Sequence, residues 1–348
     1  MKWLFLLLVF VPLAILADLL GWSPVVVFGA AALGVVPLAA FLGRATEELA
    51  TRAGPRLGGL LNATLGNAAE LIIALFAIRQ GLLKLVKASI TGSILGNILF
   101  VLGMSFLLGG RRHGRQRFDR GQAGVNATML TLAVIALAVP SLFSHSIEES
   151  SHAAVEYLSL GVASVMMLLY VLSILYSFGL PSREDQAEEV HAKRAWDIRL
   201  CLGVLAASTV FIAWLSEILV AAVEPVMASL GVTEFFLGII VIPLVGNVVE
   251  HLVAVQMALK DKMELSLAIS LGSGLQVALF VAPLLVFASL VLGNPLTLIF
   301  DEFELIALVA ASLLATLAAL DGESNWLEGA QLLAVYVIVA LAFFFLPV

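Results

Sequence analysis

Charged side chains are scarce in this sequence. They account for 12% of its 348 residues, whereas soluble domains carry about 25%. Hydrophobic residues make up 61%, and they cluster in runs of about 18 to 25, the length needed to cross roughly 30 Å of hydrocarbon. An ordinary globular domain is therefore excluded, and the composition predicts an all-α polytopic membrane protein surrounded by a lipid bilayer.

Cysteine is nearly absent as well. Cys201 is the single one and stands in an apolar run, which excludes an internal disulfide, a multi-cysteine zinc site and a redox pair. We expect it to be a small buried apolar residue. Basic residues are not concentrated either, because the 18 Lys and Arg lie mostly in short loops and the net charge is −7. The sequence indicates no nucleic-acid partner and no cofactor.

The apolar runs predict eleven transmembrane helices. The first is retained rather than cleaved, because its apolar core exceeds the roughly 7–15 residues of a signal peptide and no small-x-small cleavage site follows. The predicted spans are 3–20, 23–43, 56–79, 86–108, 122–143, 154–179, 197–222, 233–258, 265–292, 302–320 and 327–347.

Basic residues indicate the orientation. With a cytoplasmic N-terminus, 15 of the 18 Lys and Arg fall in cytoplasmic segments, and only Arg79, Lys84 and Lys87 fall outside. Cytoplasmic loops of membrane proteins are enriched in Lys and Arg. We therefore predict a cytoplasmic N-terminus and an external C-terminus, in a prokaryotic inner membrane.

The chain contains an internal repeat. A shift of 180 residues aligns Gly66–Gly103 with Gly246–Pro283, and 12 of the 38 positions are identical without a gap. Identities at Asn, Glu, Ser and Gly positions seldom arise from apolar composition alone. A second parallel links TEELATRAGP at 46–55 with SEILVAAVEP at 216–225. Repeats of this kind are a strong guide to architecture.

Each repeat holds five helices, an odd number, so the two repeats have opposite orientations in the membrane. This is the inverted-repeat plan of many secondary transporters. We predict a 1 + 5 + 5 fold, with an extra helix at 1–22, a first repeat at 23–180, a polar cytoplasmic linker at 181–196 and a second repeat at 197–348.

The motif Gly-Asn-x-x-Glu occurs once in each repeat, as GNAAE and GNVVE. Gly66 and Gly246 are predicted hinges that loosen the helix. Asn67 and Asn247 are predicted to cap the half-helix that restarts after them. The spacing also fits a helix capping box, which would explain it in a soluble protein.

The acids of the motif, Glu70 and Glu250, fall near the middle of their spans. An acid at a helix centre costs about 2.5–3.5 kcal/mol, so a pure capping role is disfavoured. Inverted symmetry would bring both acids to one central site, with no Lys or Arg beside them on these helices. Burial and a neighbouring like charge favour protonated carboxyls. A divalent cation or protons must therefore neutralise the pair, and their competition is the physical basis of cation/proton antiport.

Oxygen donors dominate the candidate ligands. The set comprises Glu70, Glu250, Asn67 and Asn247, with Ser93, Ser273, Gln276 and Asn97 as secondary candidates. Flexible oxygen ligands suit Ca²⁺, which accepts about six to eight, better than Mg²⁺, which requires an octahedron. No thiolate or histidine cluster favours a softer metal. Ca²⁺ is the first choice, and Mn²⁺ stays open.

Some small and polar residues near the motifs have a second interpretation. For Ser93, Ser273 and Gln276, packing or local hydrogen bonding is an equal alternative to cation binding. Glycines on the same helices, Gly92, Gly96, Gly272 and Gly274, predict close helix packing.

Three further features carry open alternatives. His251 follows Glu250 directly and is either a hydrogen-bonded core histidine or a proton carrier coupled to that acid. Glu47 and Glu217 occupy equivalent places near helix ends, as solvated residues or as an acidic vestibule for cations. The acidic segment 184–190 is predicted to be a solvated helix, with a regulatory Ca²⁺ site as the alternative.

The paired motifs resemble a known family. LLNATLGNAAELI with IVIPLVGNVVEHL, followed by SILGNILFVLG and LGSGLQVALFV, is similar to the Ca²⁺/cation–proton exchanger branch of the cation/Ca²⁺ exchanger superfamily. The resemblance runs from about Leu42 to the C-terminus. It implies a 1 + 5 + 5 fold with alternating access, and Glu70 and Glu250 as the acids shared between Ca²⁺ and H⁺. It also implies proton coupling, because Glu250-His251 replaces the Thr/Ser- and Asp-containing motif of sodium-coupled relatives.

We therefore predict a secondary antiporter, not an enzyme, that exchanges cytoplasmic Ca²⁺ for external H⁺. A Na⁺/Ca²⁺ exchanger or a Mn²⁺-transporting relative on the same fold is the alternative. An intramembrane hydrolase is disfavoured, because the sequence has no Asp pair and no clear Ser–His or Cys–His arrangement. The oligomeric state is left open.

Overall fold

The computed structural model describes residues 3–148, 152–179 and 196–346. The linker predicted at 181–196 lies outside these residues except for Trp196, and so does its acidic segment 184–190. The described residues are almost entirely helical. Their helices are α1 (Trp3–Leu7), α2 (Phe10–Leu19), α3 (Pro24–Leu65), α4 (Ala68–Arg79), α5 (Leu83–Leu95), α6 (Leu102–His113), α7 (Arg120–Glu148), α8 (His152–Gly179), α9 (Ile198–Ala221), α10 (Val223–Leu230), α11 (Glu234–Phe236), α12 (Ile242–Leu259), α13 (Met263–Gln276), α14 (Ala282–Leu292), α15 (Glu302–Ala319) and α16 (Trp326–Phe345).

Nine helical stretches in the described residues are long and apolar enough to cross a membrane. The two predicted spans outside that set are discontinuous. The first is split into α1 and α2, and the third into the end of α3 and α4. The prediction of a polytopic helical membrane protein is thus confirmed, whereas the total of eleven spans stays a prediction.

A single long helix, α3, covers a region that the sequence divides into two spans. Within Pro24–Leu65, only Gly54 departs from helical geometry, with φ 83° and ψ 172°. Glycine adopts a positive φ at little cost because it has no Cβ. The loop predicted between residues 43 and 56 is therefore wrong, because one bend at Gly54 replaces it.

Three π-helical turns in the described residues interrupt membrane-length helical stretches. They are Gly96–Val101 between α5 and α6, Leu237–Val241 between α11 and α12, and Val277–Val281 between α13 and α14. The first and third occupy equivalent positions in the two repeats, whereas the equivalent of the second lies in α-helical α3. Such turns are frequent at functional sites, and they mark the stretches next to the repeated motifs.

Contacts between loops define one end of the helix bundle. Strand β1 (Gln116–Arg117) pairs antiparallel with strand β2 (Glu323–Ser324). The Gln116 side chain also donates a hydrogen bond to the carbonyl of Ala258 at 3.0 Å. The loops after α6, α12 and α15 therefore meet at one end, which we call the sheet end.

A second set of contacts defines the opposite end. Asn294 Nδ2 donates to the carbonyl of Ile78 at 3.0 Å, and Thr233 Oγ1 donates to the carbonyl of Phe343 at 3.1 Å. The loops after α4, α10 and α14 meet here, together with the end of α16. These described loops therefore lie at the end of the bundle opposite to the sheet end.

The two repeats differ around equivalent glycines. Gly92 of α5 packs so closely on the π-helical turn Leu237–Val241 that a Cβ on it would overlap the Ile239 carbonyl. Among the described residues, a Cβ on the equivalent residue, Gly272, would meet no atom within 4 Å. The close packing predicted from these small residues is confirmed at Gly92, and it has no counterpart at Gly272 among the described residues.

Side-chain exposure follows the same asymmetry. Leu237 is 3% exposed, whereas its equivalent, Leu57, is 60% exposed. The Gly92 contact lies in the half of the span Leu83–His113 that is nearer the opposite end. The two repeats are therefore in close contact on the side of the opposite end, and the equivalent contact toward the sheet end is absent from the described residues.

We expect Gly92→Ala to lower the melting temperature of the detergent-purified protein, measured by scanning fluorimetry. The added methyl group overpacks a full contact, which costs about 1–3 kcal/mol and offsets the roughly 1 kcal/mol that alanine gains over glycine in a helix. The matched control is Gly272→Ala, which should melt at or above the wild-type temperature. Equal shifts in both variants would contradict the asymmetry of the repeats.

Candidate cation site

The two Gly-Asn-x-x-Glu motifs meet in the interior. A Cβ on Gly246 would lie 2.8 Å from Cγ of Glu70, and a Cβ on Gly66 would lie 3.5 Å from Oε1 of Glu250. Gly246 therefore leaves room for Glu70, and a side chain there would crowd this acid, whereas a Cβ on Gly66 would be in ordinary contact with Glu250. The two acids come together as the sequence predicts.

The carboxylate of Glu70 is buried and only partly hydrogen-bonded. Its Oε1 accepts hydrogen bonds from Ser93 Oγ and from Asn247 Nδ2 of the other repeat. Its Oε2 is buried with no hydrogen-bond partner among the described residues. Buried polar atoms are normally paired, so this oxygen is a candidate position for a bound cation or a proton.

The carboxylate of Glu250 has an equivalent partner. Ser273 Oγ donates to its Oε2 at 2.6 Å, which repeats the contact between Ser93 and Glu70 at a shift of 180 residues. Glu250 differs from Glu70 in being only partly buried. Both serines therefore lie on the carboxylate pair, which is compatible with each of the two roles that the sequence left open for them.

Three amides complete the surroundings of the carboxylates. Asn67 Nδ2 donates to Gln276 Oε1 at 2.8 Å, and Asn67 Oδ1 is buried without a partner among the described residues. Asn97 Nδ2 donates to Ser273 Oγ at 3.0 Å. The secondary candidates thus lie in the same cluster, and Asn97 contributes without an equivalent in the second repeat.

The predicted capping roles of the asparagines are wrong. Asn67 does precede α4, but its side chain makes no capping hydrogen bond. Asn247 lies inside α12, which runs unbroken from Ile242 to Leu259. The reason is that both amides are engaged across the repeats, with Gln276 in one case and with Glu70 in the other.

The two predicted hinge glycines have different local structures. Gly66 stands at the interruption between α3 and α4, as predicted. Gly246 lies within the continuous helix α12, so the loosening expected there is wrong. The irregular backbone of the second repeat lies earlier, in the π-helical turn Leu237–Val241.

His251 is buried against an aromatic ring. It is 7% exposed and meets Phe100 edge-on, with ring centroids 6.1 Å apart. Neither ring nitrogen has a hydrogen-bond partner among the described residues. The described residues thus supply no hydrogen bond to this histidine, and both the core role and the role of proton carrier stay predictions.

The other acidic candidates lie at the surface of the bundle. Glu47 on α3 and Glu217 on α9 are both exposed. Their vestibule role is not tested by this geometry and stays a prediction. Cys201 is buried, as expected.

Sequence reasoning missed one buried acid, Glu304. Its Oε1 accepts a hydrogen bond from Thr91 Oγ1 at 3.0 Å, and its Oε2 accepts from the backbone N–H of Asp301 at 2.9 Å. Asp301 and Glu304 form a capping box at the start of α15. The Asp-x-x-Glu spacing before an apolar run was the available signal, and both carboxylate oxygens are satisfied within the protein.

The donor set defines what the site can hold. Within the described ranges, no group of three or more His, Cys, Asp or Glu side chains converges on a metal position. The site instead offers two carboxylates with amide and hydroxyl oxygens, which suit a hard cation. Helices interrupted in mid-span and acids paired across two repeats are characteristic of secondary transporters.

The chain belongs to the sodium/calcium exchanger protein family, whose signature matches residues 23–179 and 200–345. It is 44% identical to a Ca²⁺/H⁺ antiporter of Aphanothece halophytica, over 98% of this chain and 96% of that protein. It is 43% identical to the Ca²⁺/H⁺ antiporter ChaA of Bacillus subtilis, over 97% of each. The solved structure of native YfkE superposes with a TM-score of 0.87 at 40% identity, covering 99% of this chain and 100% of that one.

We expect Ser93→Ala and Ser273→Ala each to weaken Ca²⁺ binding about tenfold, because a hydrogen bond to a charged group contributes about 1.5–3 kcal/mol. Each hydroxyl stabilises the ionised carboxylate that a cation would bind. Isothermal titration calorimetry on the purified protein measures the affinity.

The matched control for this prediction is Ser105→Ala. Ser105 is fully buried on α6, and its hydroxyl has no partner among the described residues. Its removal should leave the affinity unchanged. An equal loss in all three variants would mean that the two site serines act through packing.

Proposed function

We propose that this protein is a secondary antiporter, not an enzyme, that exchanges cytoplasmic Ca²⁺ for external H⁺. The observation that carries the proposal is the pair of glutamates from opposite repeats in one interior cluster, with Glu70 Oε2 unpartnered among the described residues. The relatives that are 43% and 44% identical over nearly the whole chain are named Ca²⁺/H⁺ antiporters, which supports the same function here.

Charge neutralisation explains the coupling. The two carboxylates, Glu70 and Glu250, have no Lys or Arg in the cluster described above, so leaving both ionised and unoccupied in the interior is costly. One Ca²⁺ or two protons neutralise them equally well. Ca²⁺ and protons therefore displace each other. The site becomes accessible from the other side of the membrane only when it holds one Ca²⁺ or two protons. Asn67, Asn247 and the two serines supply further oxygens for Ca²⁺.

We propose a 1 + 5 + 5 inverted-repeat fold for the whole chain. The equivalent π-helical turns after α5 and α13 support it, as does the alternation of loops between the two ends of the bundle. The sheet end is assigned to the cytoplasm, because it carries most of the Lys and Arg. The guanidinium of Arg44 lies over the ring of Trp196, 4.9 Å from its centroid. Trp196 ends the linker and Arg44 belongs to the part of α3 before Gly54, so this contact supports a linker on the same side of the membrane as the end of that part of α3.

The close contact at Gly92 supports a conformation that is closed toward the external end. The equivalent contact toward the cytoplasmic sheet end is absent among the described residues. The partly buried Glu250 and the buried Glu70 are compatible with access from the cytoplasm. The site in this state would receive Ca²⁺ from inside the cell or release protons there.

We expect Glu70→Gln and Glu250→Gln each to abolish Ca²⁺ uptake by proteoliposomes under an imposed pH gradient. A neutral amide keeps the shape of the side chain but neither balances Ca²⁺ nor carries an exchangeable proton. Glu302→Gln, at an exposed acid on α15, is the matched control and should transport normally. Full activity in either site variant, with a normal elution profile, would refute the assigned site.

The same vesicles distinguish the alternatives on this fold. Uptake driven by a pH gradient without Na⁺ supports H⁺ coupling, whereas uptake that requires a Na⁺ gradient supports a Na⁺/Ca²⁺ exchanger. Replacing Ca²⁺ with Mn²⁺ at equal concentration tests the preferred cation.

Cysteine labelling tests the orientation. We expect a membrane-impermeant maleimide to label Lys84→Cys in intact cells, and Arg115→Cys only after permeabilisation, in a Cys201→Ala background. Both positions are exposed in the structure, and they belong to opposite ends of the bundle. Reversed labelling would contradict the orientation, and labelling of both from one side would contradict the eleven-span topology.

A further inference from the structure

The C-terminal ends of the two glutamate-bearing helices, α4 and α12, have the same backbone structure. Gly81 and Asp261, related by a shift of 180 residues, adopt left-handed conformations with φ of 79° and 61°. Their N–H groups donate to Ile78 O at 2.9 Å and to Ala258 O at 3.1 Å. In each repeat, the N–H of the following residue donates to the carbonyl one residue earlier in the helix. This second hydrogen bond completes a Schellman motif.

Each ending also receives a side-chain amide from the other repeat. Asn294 Nδ2 donates to Ile78 O at 3.0 Å, and Gln116 Nε2 donates to Ala258 O at 3.0 Å. The acceptors are 180 residues apart and the donors 178, so the two contacts are equivalent. We call them the amide clamps. The Gln116 clamp lies at the sheet end of the bundle and the Asn294 clamp at the opposite end, and each lies where loops of the two repeats meet.

The sheet-end clamp includes a further hydrogen bond. Gln116 Nε2 also donates to Asp261 Oδ1 at 2.8 Å. A non-glycine residue in the left-handed region is uncommon, and this bond stabilises it. At the opposite end the equivalent residue is Gly81, which needs no such support. Both clamps therefore preserve the same helix ending with different residues.

The N-terminal parts of the same helices are not equivalent. The first is interrupted between Leu65 and Ala68, whereas the second is continuous through Asn247. Leu57 is 60% exposed where its equivalent, Leu237, is 3% exposed. In proteins built from inverted repeats, access changes sides when one repeat moves against the other about a fixed site. Helix ends that have the same structure in both repeats need not move when access changes sides.

We propose that Asn294 and Gln116 are positioning residues for transport: each clamps the C-terminal end of a glutamate-bearing helix, so that these ends stay fixed while the N-terminal parts move. The proposal rests on the proposed antiport function. Each clamped carbonyl lies eight residues beyond its glutamate, about 12 Å along the helix. Loss of a clamp should therefore slow the conformational step and leave cation binding unchanged.

The test removes the donors without changing side-chain size. In proteoliposomes under a pH gradient, Asn294→Leu and Gln116→Met should lower the maximal Ca²⁺ uptake rate by about tenfold, the effect of one hydrogen bond. The KM for Ca²⁺ should stay within about twofold of wild type, because the loss is confined to a step after binding. Asn294→Gln and Gln116→Asn, which keep an amide, should recover part of the rate.

Neighbouring residues in the same loops provide the controls. Thr297→Ala and Arg117→Ala should transport at the wild-type rate. If the variant at the buried Gln116 does not fold, Asn294→Leu is sufficient for the test, because Asn294 is only partly buried.

Two outcomes would overturn the proposal. Wild-type rates in Asn294→Leu would refute the clamp, and so would a rise in KM as large as the loss of rate, because that pattern places the effect on the cation site. Wild-type protein that shows no uptake driven by the pH gradient would instead refute the antiport function on which the proposal depends.

Discussion

The structure depends on one constraint, which is that two interior carboxylates, the buried Glu70 and the partly buried Glu250, must be compensated. Glu70 and Glu250 lie in an apolar interior, where an unpaired charge costs several kcal/mol. The fold supplies hydroxyl and amide donors from both repeats, and it places Gly246 where Glu70 must fit. The donors leave Glu70 Oε2 without a partner among the described residues. Under the proposed function, a cation or a proton would supply the partner of this oxygen.

Equivalent sequences adopt different backbone structures around this site. The motif that begins at Gly66 stands at a helix interruption, whereas the motif at Gly246 lies in a continuous helix. Local preference cannot explain the difference, because both motifs have the same Gly-Asn-x-x-Glu pattern. The difference comes from tertiary contacts, since Asn67 binds Gln276 and Asn247 binds Glu70. A chain that supports both conformations with the same residue types is suited to exchange them between its repeats.

The sequence was sufficient to predict the helical membrane fold and the meeting of the two acids, because the first depends on composition and the second on matching polar positions. Helix interruptions and amide contacts could not be predicted in this way. Asn294 and Gln116 contact backbone carbonyls more than 140 residues away, and a carbonyl carries no side-chain signal. Glu304 was missed because it lies outside the repeated motif, although the sequence shows its capping-box spacing.

The helix ends that are equivalent in the two repeats, and the segments that differ between them, follow from the same need to compensate the two carboxylates. If the acids moved freely, their donors would be lost during each cycle and the charge would be uncompensated at intermediate stages. Fixed C-terminal ends at Ile78 and Ala258 keep both glutamates at one depth, within reach of Ser93 and Ser273. Motion is then confined to the segments that precede the motifs, where side chains are mostly apolar and exposure costs less. Under the proposed function, access can change sides while the carboxylates keep their partners.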